Sequence, residues 1–390
     1  MGECTGWTRR KLLKLAAGCA ASSPASDLRL TKLDLFTGGE GGYALYRIPG
    51  IVVTRKKTLL TYCEARQTGR GDWGPIDILL RRGAVGGQTW SAPQKIANVE
   101  GPYRKNPVAL AQNLAGADDV TYNNPVAIPD EQTGAVHFLF CLEYMRCFYM
   151  RSEDDGISFS KPVEITGVFE NFRRHYDWKV LATGPGHGIQ LRNGRLLVPV
   201  WLSTGAGGHA HRPSVVSTIY SDNAGRDWKA GGIAVPNTPD SVNPSETMAV
   251  QLQDGTVLMN ARSESAHHRR LLLRSKDGAS GWSPAEPHPE LLEPICMASM
   301  IRLSGKDLIF SSPHHLSARR NLSIKLSRDE GKTWPVNKTL EPGPSAYSDL
   351  AAGADGAIYC FYERGSVEEL PRKLTLATFS PAWLEDQAAG

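Results

Sequence analysis

Short motifs that combine arginine, acidic residues and tyrosine recur along this chain, and such residue types can hold a carboxylated ligand and move protons on it. An arginine guanidinium binds a carboxylate through paired hydrogen bonds and keeps its charge at physiological pH. A carboxyl group can give or take a proton, and a tyrosine hydroxyl can attack carbon when a base removes its proton. The motifs are Tyr46-Arg47-Ile48-Pro49, Glu64-Ala65-Arg66, Gly71-Asp72-Trp73-Gly74, Asn243-Pro244-Ser245-Glu246, Asn260-Ala261-Arg262, Arg319-Arg320-Asn321-Leu322 and Ser345-Ala346-Tyr347-Ser348-Asp349-Leu350.

A repeated hairpin pattern must position these motifs. Six times a turn-forming pair, such as Asn193-Gly194 or Asp254-Gly255, leads into a run of apolar, strand-forming residues, and such pairs favour tight hairpins. The later turns are separated by roughly 50 to 61 residues, which is the length of one propeller blade. We therefore predict an all-β fold, a six-bladed β-propeller over residues 28–390. The runs cover residues 58–63, 135–142, 195–202, 256–260, 306–311 and 357–362.

A second repeat, Ser-x-Asp-x-Gly-x-x-aromatic, lies between the hairpins. Serine and aspartate side chains accept backbone N–H bonds in a turn, glycine takes a left-handed conformation, and the aromatic ring packs beneath. The pattern is structural and carries no chemistry of its own. Its copies begin at Ser152, at Ser221 with Asn223 in place of the aspartate, at Ser327, at Ser275 in degraded form, and as a remnant at Gly87-Gln88-Thr89-Trp90.

These turns resemble the Asp-boxes of the sialidase (neuraminidase) superfamily, whose fold is a six-bladed propeller. The arginine, acidic and tyrosine motifs are similar to the family's catalytic segments and follow in the expected order over about residues 30 to 380. Gly184-Pro185-Gly186-His187-Gly188 is a further family-like stretch. The resemblance implies an exo-α-sialidase that hydrolyses terminal sialic acid from glycoconjugates with retention of configuration and without a cofactor.

The resemblance also implies a role for each matching residue. Sialic acid carries a carboxylate on its anomeric carbon, which three arginines would hold and which would repel an anionic nucleophile. A neutral tyrosine with a carboxylate base suits that carbon better, and sialidases are known exceptions to the usual pair of carboxylates. The implied residues are Tyr347 as nucleophile, Glu246 as its base, Asp72 as acid/base, Arg47, Arg262 and Arg319 on the carboxylate, Arg66 near the carboxylate or the 4-hydroxyl, and Asn124 and Trp201 beside the sugar.

Several alternatives remain open at this point. Arg320 competes with Arg319, and Asp77 competes with Asp72, although the match to Arg-x-Asn and the glycine-rich surroundings favour Arg319 and Asp72. The substrate could be another 2-keto or uronic acid sugar, since the arginines recognise only a carboxylate. A non-catalytic carbohydrate-binding propeller is the third alternative, which the presence of both a nucleophile and a base disfavours.

Composition excludes other classes of protein. With 39 glycines and 25 prolines among 390 residues, the chain suits many short strands joined by turns. The net charge of +4 is too small to indicate nucleic-acid binding, and no apolar run is long enough to span a membrane. The histidine pairs, at 209/211, 267/268 and 314/315, lack acidic or cysteine partners at ligand spacing, so no metal is expected. Of the five cysteines beyond the N-terminal segment, Cys63 and Cys360 lie in strand-like apolar runs and are expected to be buried thiols, with one disulfide, Cys141–Cys147, as an open alternative.

The N-terminal residues 1–27 are predicted to be an export signal of the twin-arginine type. Arg9 and Arg10 precede a short apolar run at residues 12–21, which is too short to cross a bilayer as a helix. The protein is therefore expected in the periplasm or outside the cell. Ala16-Ala17-Gly18-Cys19 half-matches a lipoprotein cleavage site, so a lipid anchor at Cys19 is an alternative fate of this segment.

Overall fold

The computed structural model describes residues 1–2, 30–69, 71–86, 89–365 and 372–386. Apart from residues 1 and 2, the predicted signal, with Cys19, therefore lies outside the described residues. Within the described ranges the chain forms 25 β-strands and only short helices, which confirms the predicted all-β fold. No helix in these ranges is long and apolar enough to cross a membrane.

The strands are β1 (Thr31–Thr37), β2 (Leu45–Val53), β3 (Thr58–Arg66), β4 (Ile76–Ala84), β5 (Gln94–Lys95), β6 (Tyr122–Pro129), β7 (Val136–Leu142), β8 (Arg146–Ser152), β9 (Val163–Glu164), β10 (Val180–Thr183), β11 (Gly186–His187), β12 (Ile189–Gln190), β13 (Leu196–Ser203), β14 (Ser214–Ser221), β15 (Lys229–Ala230), β16 (Thr247–Gln251), β17 (Val257–Ala261), β18 (Arg269–Ser275), β19 (Glu286–Leu292), β20 (Ser299–Ser304), β21 (Asp307–Pro313), β22 (Arg320–Ser327), β23 (Val336–Ala352), β24 (Ile358–Arg364) and β25 (Lys373–Phe379). The helices are α1 (Pro107–Ala111), a 3₁₀ helix (Thr166–Arg174) and α2 (Pro381–Glu385).

The described strands form five sheets, in the orders β2-β3-β4-β5, β11-β6-β7-β8-β9, β10-β13-β14-β15 with β12 also on β13, β16-β17-β18-β19, and β1-β25-β24-β23-β22-β21-β20. The seven-stranded sheet passes through the 17-residue strand β23. The first half of β23 pairs with β22 and its second half pairs with β24. The first strand, β1, pairs antiparallel with the last strand, β25, and so ties the two ends of the fold together. The predicted number of six blades stays a prediction.

The apolar core lies between sheets that follow each other along the chain. One cluster joins Leu60 of the first sheet to Phe138 of the second. Another joins Ile51 of the first sheet to Phe361 of the last. Since both faces of these sheets are covered, strands such as β7 are buried over their whole length, which explains the continuous apolar runs in the sequence.

All six predicted runs form strands, namely β3, β7, β13, β17, β21 and β24. Each is the second strand of a hairpin, and residues such as Gly194 and Gly255 at the preceding turns have φ of 90° and 94°. The turn chemistry read from the sequence therefore fixes where the chain reverses.

The Ser-x-Asp turns adopt one geometry wherever they are complete. The hydroxyl of Ser327 accepts the backbone N–H of Gly331 at 2.8 Å and donates to Asp329 Oδ1 at 2.8 Å. Asp329 Oδ1 also accepts the N–H of Thr333 at 2.9 Å, and the ring of Trp334 packs beneath the turn. The equivalent glycines of the Ser152 and Ser221 turns also have positive φ.

Replacement of Ser327 by alanine tests this interpretation. Ser327 is fully buried, so the change leaves the Gly331 N–H without its acceptor. We expect Ser327→Ala to lower the free energy of unfolding by about 1–3 kcal/mol in denaturant titrations. Ser317→Ala, at an exposed serine, should change it by less than about 0.5 kcal/mol. Equal effects of the two variants would contradict a structural role for the turn.

The five cysteines of the described residues are buried free thiols. Cys141 and Cys147 lie opposite each other on β7 and β8 but are not bridged. The alternative of a disulfide between them is therefore not realised.

Candidate active site

One cavity of about 190 Å³ brings together most of the residues that the motifs predict. Eight of the nine predicted site residues line it, and Arg66 lies behind it beneath Asp72. The eight residues are Arg47, Asp72, Asn124, Trp201, Glu246, Arg262, Arg319 and Tyr347.

Irregular pairing aims the side chains of three strands at this cavity. The register of β2 against β3 shifts just after Arg47, that of β6 against β7 shifts just after Asn123, and that of β23 against β24 shifts between Ser345 and Ser348, around Tyr347. Bulges of this kind redirect side chains and are common beside functional sites.

Left-handed backbone accompanies these bulges. Ile48 has φ of 58° and Asn124 has φ of 51°, a conformation that costs energy in non-glycine residues, most of all in β-branched ones. Gly50 completes the bulge in β2, where an added Cβ would come within 2.0 Å of the Tyr62 ring. Only glycine fits there, so the path of β2 past Arg47 is fixed by local sequence as well as by pairing.

Tyr347 and Glu246 form the central pair of the site. The Tyr347 hydroxyl donates to Glu246 Oε1 at 2.6 Å and accepts from Arg262 Nη1 at 2.9 Å. The same Arg262 nitrogen contacts the second oxygen of Glu246. Burial and, after it, the Glu246 carboxylate raise the pKa of Tyr347, while three guanidinium groups oppose the rise. The phenol is therefore protonated in the free site, with an acceptor for its proton already in place.

Two further guanidinium groups flank the Tyr347 ring. The central guanidinium carbon of Arg47 lies 4.9 Å from the ring centroid, and that of Arg319 lies 5.2 Å from it. Arg319 donates to the Ile295 carbonyl, at 2.6 Å from Nη2, and makes no ion pair with a carboxylate among the described residues. The cavity thus presents an excess of positive charge around one phenol, which suits a ligand that brings its own carboxylate.

Asp72 faces this group from the loop after β3, with 41% of its side chain exposed. Its Oδ1 lies 3.0 Å from Arg66 Nη2 and 3.4 Å from Arg47 Nη1. Burial alone would raise the pKa of Asp72, but Arg66 and Arg47 outweigh it and hold that pKa below its usual value. Asp72 is therefore ionised when no ligand is bound, and a ligand that adds negative charge near Arg47 would raise the pKa of Asp72.

Glu64, which the motifs contain but to which no role was given, fixes two of the predicted residues. Its fully buried carboxylate accepts Arg66 Nη2 at 2.7 Å and the backbone N–H of Asn124 at 2.9 Å. Glu64 thereby links β6 of the second sheet to the end of β3 in the first sheet, beneath Asp72. An acidic residue inside an apolar strand run was the signal that could have identified it.

A second supporting carboxylate, Glu363, was not found by sequence reasoning. Glu363 accepts Arg47 Nε at 3.0 Å on Oε1 and Arg47 Nη2 at 3.4 Å on Oε2. It also accepts the backbone N–H of Ile48 at 3.2 Å, and Arg372 Nη2 lies 3.2 Å from Oε2. Glu363 stands 316 residues from Arg47, so no local pattern could have linked the two.

An aromatic wall completes the cavity beside Asp72. The ring centroid of His211 lies 4.9 Å from that of Tyr144 and 5.1 Å from that of Trp201, and Trp73 packs against Tyr144 from behind. Burial lowers the pKa of His211, so its imidazole is neutral at physiological pH. The sequence analysis noted His211 only as part of a histidine pair at which no metal was expected, and did not place it in the cavity. Within the described residues no group of three or more His, Cys, Asp or Glu side chains is arranged to hold a metal.

The two competing residues lie away from the cavity. Asp77 pairs with Lys95 at 2.5 Å and accepts the Tyr43 hydroxyl at 2.8 Å. Arg320 begins β22 with its side chain exposed. Neither lines the cavity, whereas Asp72 and Arg319 do.

A larger cavity of about 380 Å³ opens at the opposite ends of the inner strands. Its walls combine apolar side chains with the polar residues His187, Gln190, Arg192, Gln251 and Arg302. The Nδ1 atom of His187 lies 2.8 Å from the buried Asp349 carboxylate. This cavity has no nucleophile with a base, so the smaller cavity is the better candidate for chemistry.

Comparison with known proteins assigns the chain to one family. Residues 57–360 match the BNR repeat-like domain family. A sialidase of Micromonospora viridifaciens is 28% identical over 93% of this chain and 55% of its own length, and a sialidase of Bacteroides fragilis is 28% identical over 83% and 61%. The chain thus spans less than two thirds of either relative. Among solved structures, the Hadza microbial sialidase Hz136 superimposes with a TM-score of 0.73 at 24% identity, over 90% of this chain and 68% of its own, which shows a shared fold.

Proposed function

Because the chain belongs to the BNR repeat-like family of the sialidase superfamily, we propose that it is a sialidase-type glycoside hydrolase, specifically an exo-α-sialidase. Its substrate would be a terminal sialic acid on a glycoconjugate, cleaved with retention of configuration. The observation that carries the proposal is the Tyr347–Glu246 hydrogen bond of 2.6 Å inside a ring of three arginines.

Substrate binding begins with the carboxylate. Arg47, Arg262 and Arg319 surround the space above the Tyr347 ring, and Arg319 is the one whose charge no carboxylate of the described residues neutralises. Charge-assisted bonds from fixed guanidinium groups position the anomeric carbon over the Tyr347 oxygen.

The first chemical step forms a bond between the Tyr347 oxygen and the anomeric carbon while the bond to the leaving oxygen breaks. Glu246 takes the phenolic proton, for which it already holds the hydrogen bond. Asp72 gives a proton to the leaving oxygen. The substrate carboxylate on Arg47 weakens the field that keeps Asp72 ionised, so binding itself raises the Asp72 pKa toward that of a useful acid.

The second step reverses these roles. Asp72, now a carboxylate, takes a proton from water as the water oxygen attacks the anomeric carbon. The bond to Tyr347 breaks and Glu246 returns the proton to the phenol oxygen. Two inversions at one carbon give net retention.

A fluorogenic aryl sialoside tests the proposal directly. The purified chain should release the fluorophore at mildly acidic to neutral pH, and a fluorinated sialic acid should label Tyr347. Absence of turnover across that range would count against the enzyme, and a label on another residue would overturn the nucleophile. Comparison of sialosides with their deaminated analogues separates sialic acid from other 2-keto acid sugars, and ligand binding without turnover would favour the non-catalytic alternative.

Arg319 and Arg320 offer a matched pair of substitutions. Arg319→Gln removes a guanidinium from the cavity, so KM for the sialoside should rise about 10- to 100-fold, the worth of one charge-assisted bond. Arg320→Gln, at an exposed position, should leave KM within about twofold. The opposite ranking of the two variants in steady-state kinetics would assign the triad to Arg320.

The blade count, the export signal and the domain boundaries are part of the same proposal. Division of the seven-stranded sheet at β23 would give six groups of strands, and apolar clusters between successive groups support a closed ring over residues 28–390.

The twin arginines before residues 12–21 support export of the chain, with removal of residues 1–27 or lipidation at Cys19. The mass of the exported protein distinguishes these two fates.

A further inference from the structure

A buried arginine outside the cavity lies behind the site and takes no part in the chemistry described above. Arg372 precedes β25 and is 3% exposed. Its Nη2 lies 3.2 Å from Glu363 Oε2, while its Nε and Nη1 have no hydrogen-bond partner among the described residues. Burial of a cation with unpaired N–H groups lowers the free energy of unfolding. Stability alone therefore does not explain why an arginine stands at this position.

The backbone of Arg372 is held firmly. Its carbonyl accepts the N–H of Gly38 at 2.8 Å, and an added Cβ on Gly38 would come within 2.9 Å of the Ala44 carbonyl oxygen. The guanidinium is thus directed at Glu363 from a fixed point.

Glu363 is the link between Arg372 and the substrate site. The same Oε2 that faces Arg372 also faces Arg47 Nη2 at 3.4 Å, while Oε1 accepts Arg47 Nε at 3.0 Å. The charged and titratable groups around this pair are Arg47, Arg319 and the Cys296 thiol, with Asp72 on the far side of Arg47. Burial alone would raise the pKa of Glu363, but Arg47 and then Arg372 lower it to about 2.

We infer that Arg372 is a positioning residue: it keeps Glu363 oriented and charged, and Glu363 in turn fixes Arg47 for the substrate carboxylate. The inference rests on the proposed function and deepens it. Without Arg372, the Glu363 carboxylate would keep only its contact with Arg47 and the Ile48 N–H, and it would protonate more readily at acidic pH. Arg47 would then lose part of the ion pair that fixes its guanidinium.

The test uses Arg372→Met, Arg372→Lys and Glu363→Gln in the full chain, with Arg146→Met as the control because Arg146 pairs with Glu164 in an exposed ion pair. KM and kcat are measured on a fluorogenic sialoside at pH 5 and pH 7.5. The dissociation constant of 2,3-dehydro-sialic acid is measured by calorimetry. Arg372→Met should raise KM and the dissociation constant about tenfold with kcat within about threefold, and the rise should be larger at pH 5.

Two further outcomes are specific to a positioning role. Arg372→Lys should recover part of the affinity, and Arg372→Met should add little to the effect of Glu363→Gln when the two changes are combined. Arg146→Met should match the wild type in all kinetic constants. If Arg372→Met does not fold, the KM of Arg372→Gln decides, and a value equal to the wild type at both pH values overturns the inference.

The two proposals fail in different ways. A wild-type chain that neither cleaves the sialoside nor binds the dehydro analogue defeats the proposed function. A wild type that does both, with Arg372→Met equal to it in KM at both pH values, defeats only the role of Arg372.

Discussion

Replacement of Tyr347 by phenylalanine is expected to lower kcat on sialosides by roughly 10³-fold or more, because the attacking oxygen is lost. The ring stays in place between Arg47 and Arg319, whose cation–π contacts do not involve the hydroxyl. The dissociation constant of a sialic acid analogue should therefore change by no more than about threefold. Rapid-quench kinetics should also show no burst of covalent intermediate.

A second tyrosine gives the matched control for this experiment. Tyr220 lies on β14, with the Arg195 guanidinium 4.2 Å from its ring centroid, away from the cavity. Tyr220→Phe should retain wild-type kcat and KM. A Tyr347→Phe variant within tenfold of the wild-type kcat would exclude this residue as the nucleophile.

Replacement of Asp72 by asparagine is expected to depend on the leaving group. For a sugar leaving group, which needs a proton, kcat should fall by about 10²- to 10⁴-fold. For an activated aryl group, whose oxygen leaves as a stable anion, the formation of the intermediate should fall much less. An equal fall in the rate of intermediate formation with both substrates would show that Asp72 does not protonate the leaving oxygen.

The pH dependence of the same reaction has a defined sign. In the free site Arg66 and Arg47 hold the pKa of Asp72 low against the effect of burial, so the acid is unprotonated there. Once a substrate carboxylate occupies Arg47, the pKa rises, and kcat on a natural sialoside should fall as pH increases through that raised pKa. The Asp72→Asn variant should lose this basic limb.

Asp77 serves as the control for Asp72. It is bound by Lys95 and Tyr43 outside the cavity, so Asp77→Asn should keep both the wild-type kcat and the basic limb. Loss of the limb in Asp77→Asn instead would reverse the assignment of the acid between the two residues.

Much of the fold could be predicted because its signals are local. The hairpin pairs at Asn193-Gly194 and Asp254-Gly255 and the Ser-x-Asp turn at Ser327 act through residues only a few positions apart. Their backbone conformations and hydrogen bonds follow from residue type alone. The strand runs behind them could be recognised for the same reason, although the sequence did not show that β23 continues through two halves of one sheet.

The site could be predicted only where the resemblance supplied an order of motifs. Local spacing left Arg319 and Arg320 equivalent, and the pairing of β22 with β23 decides that the first faces the cavity and the second does not. No sequence motif assigned His211 to the site, but it packs against Tyr144 and Trp201 in the cavity wall.

Sequence alone thus determined the residue types of the site, which are the arginines and the tyrosine, and the turn repeats of the β-hairpins that hold them. Tertiary structure decided which of them meet. Tyr347 contacts Glu246, which is 101 residues away in the chain, and Arg47 contacts Glu363, which is 316 residues away. That Arg372 shares the Glu363 carboxylate with Arg47 follows only from the tertiary structure, in which the first and last strands pair. Turn chemistry depends on neighbours in the chain, whereas a charge network depends on which bulges and buried partners the tertiary structure brings together.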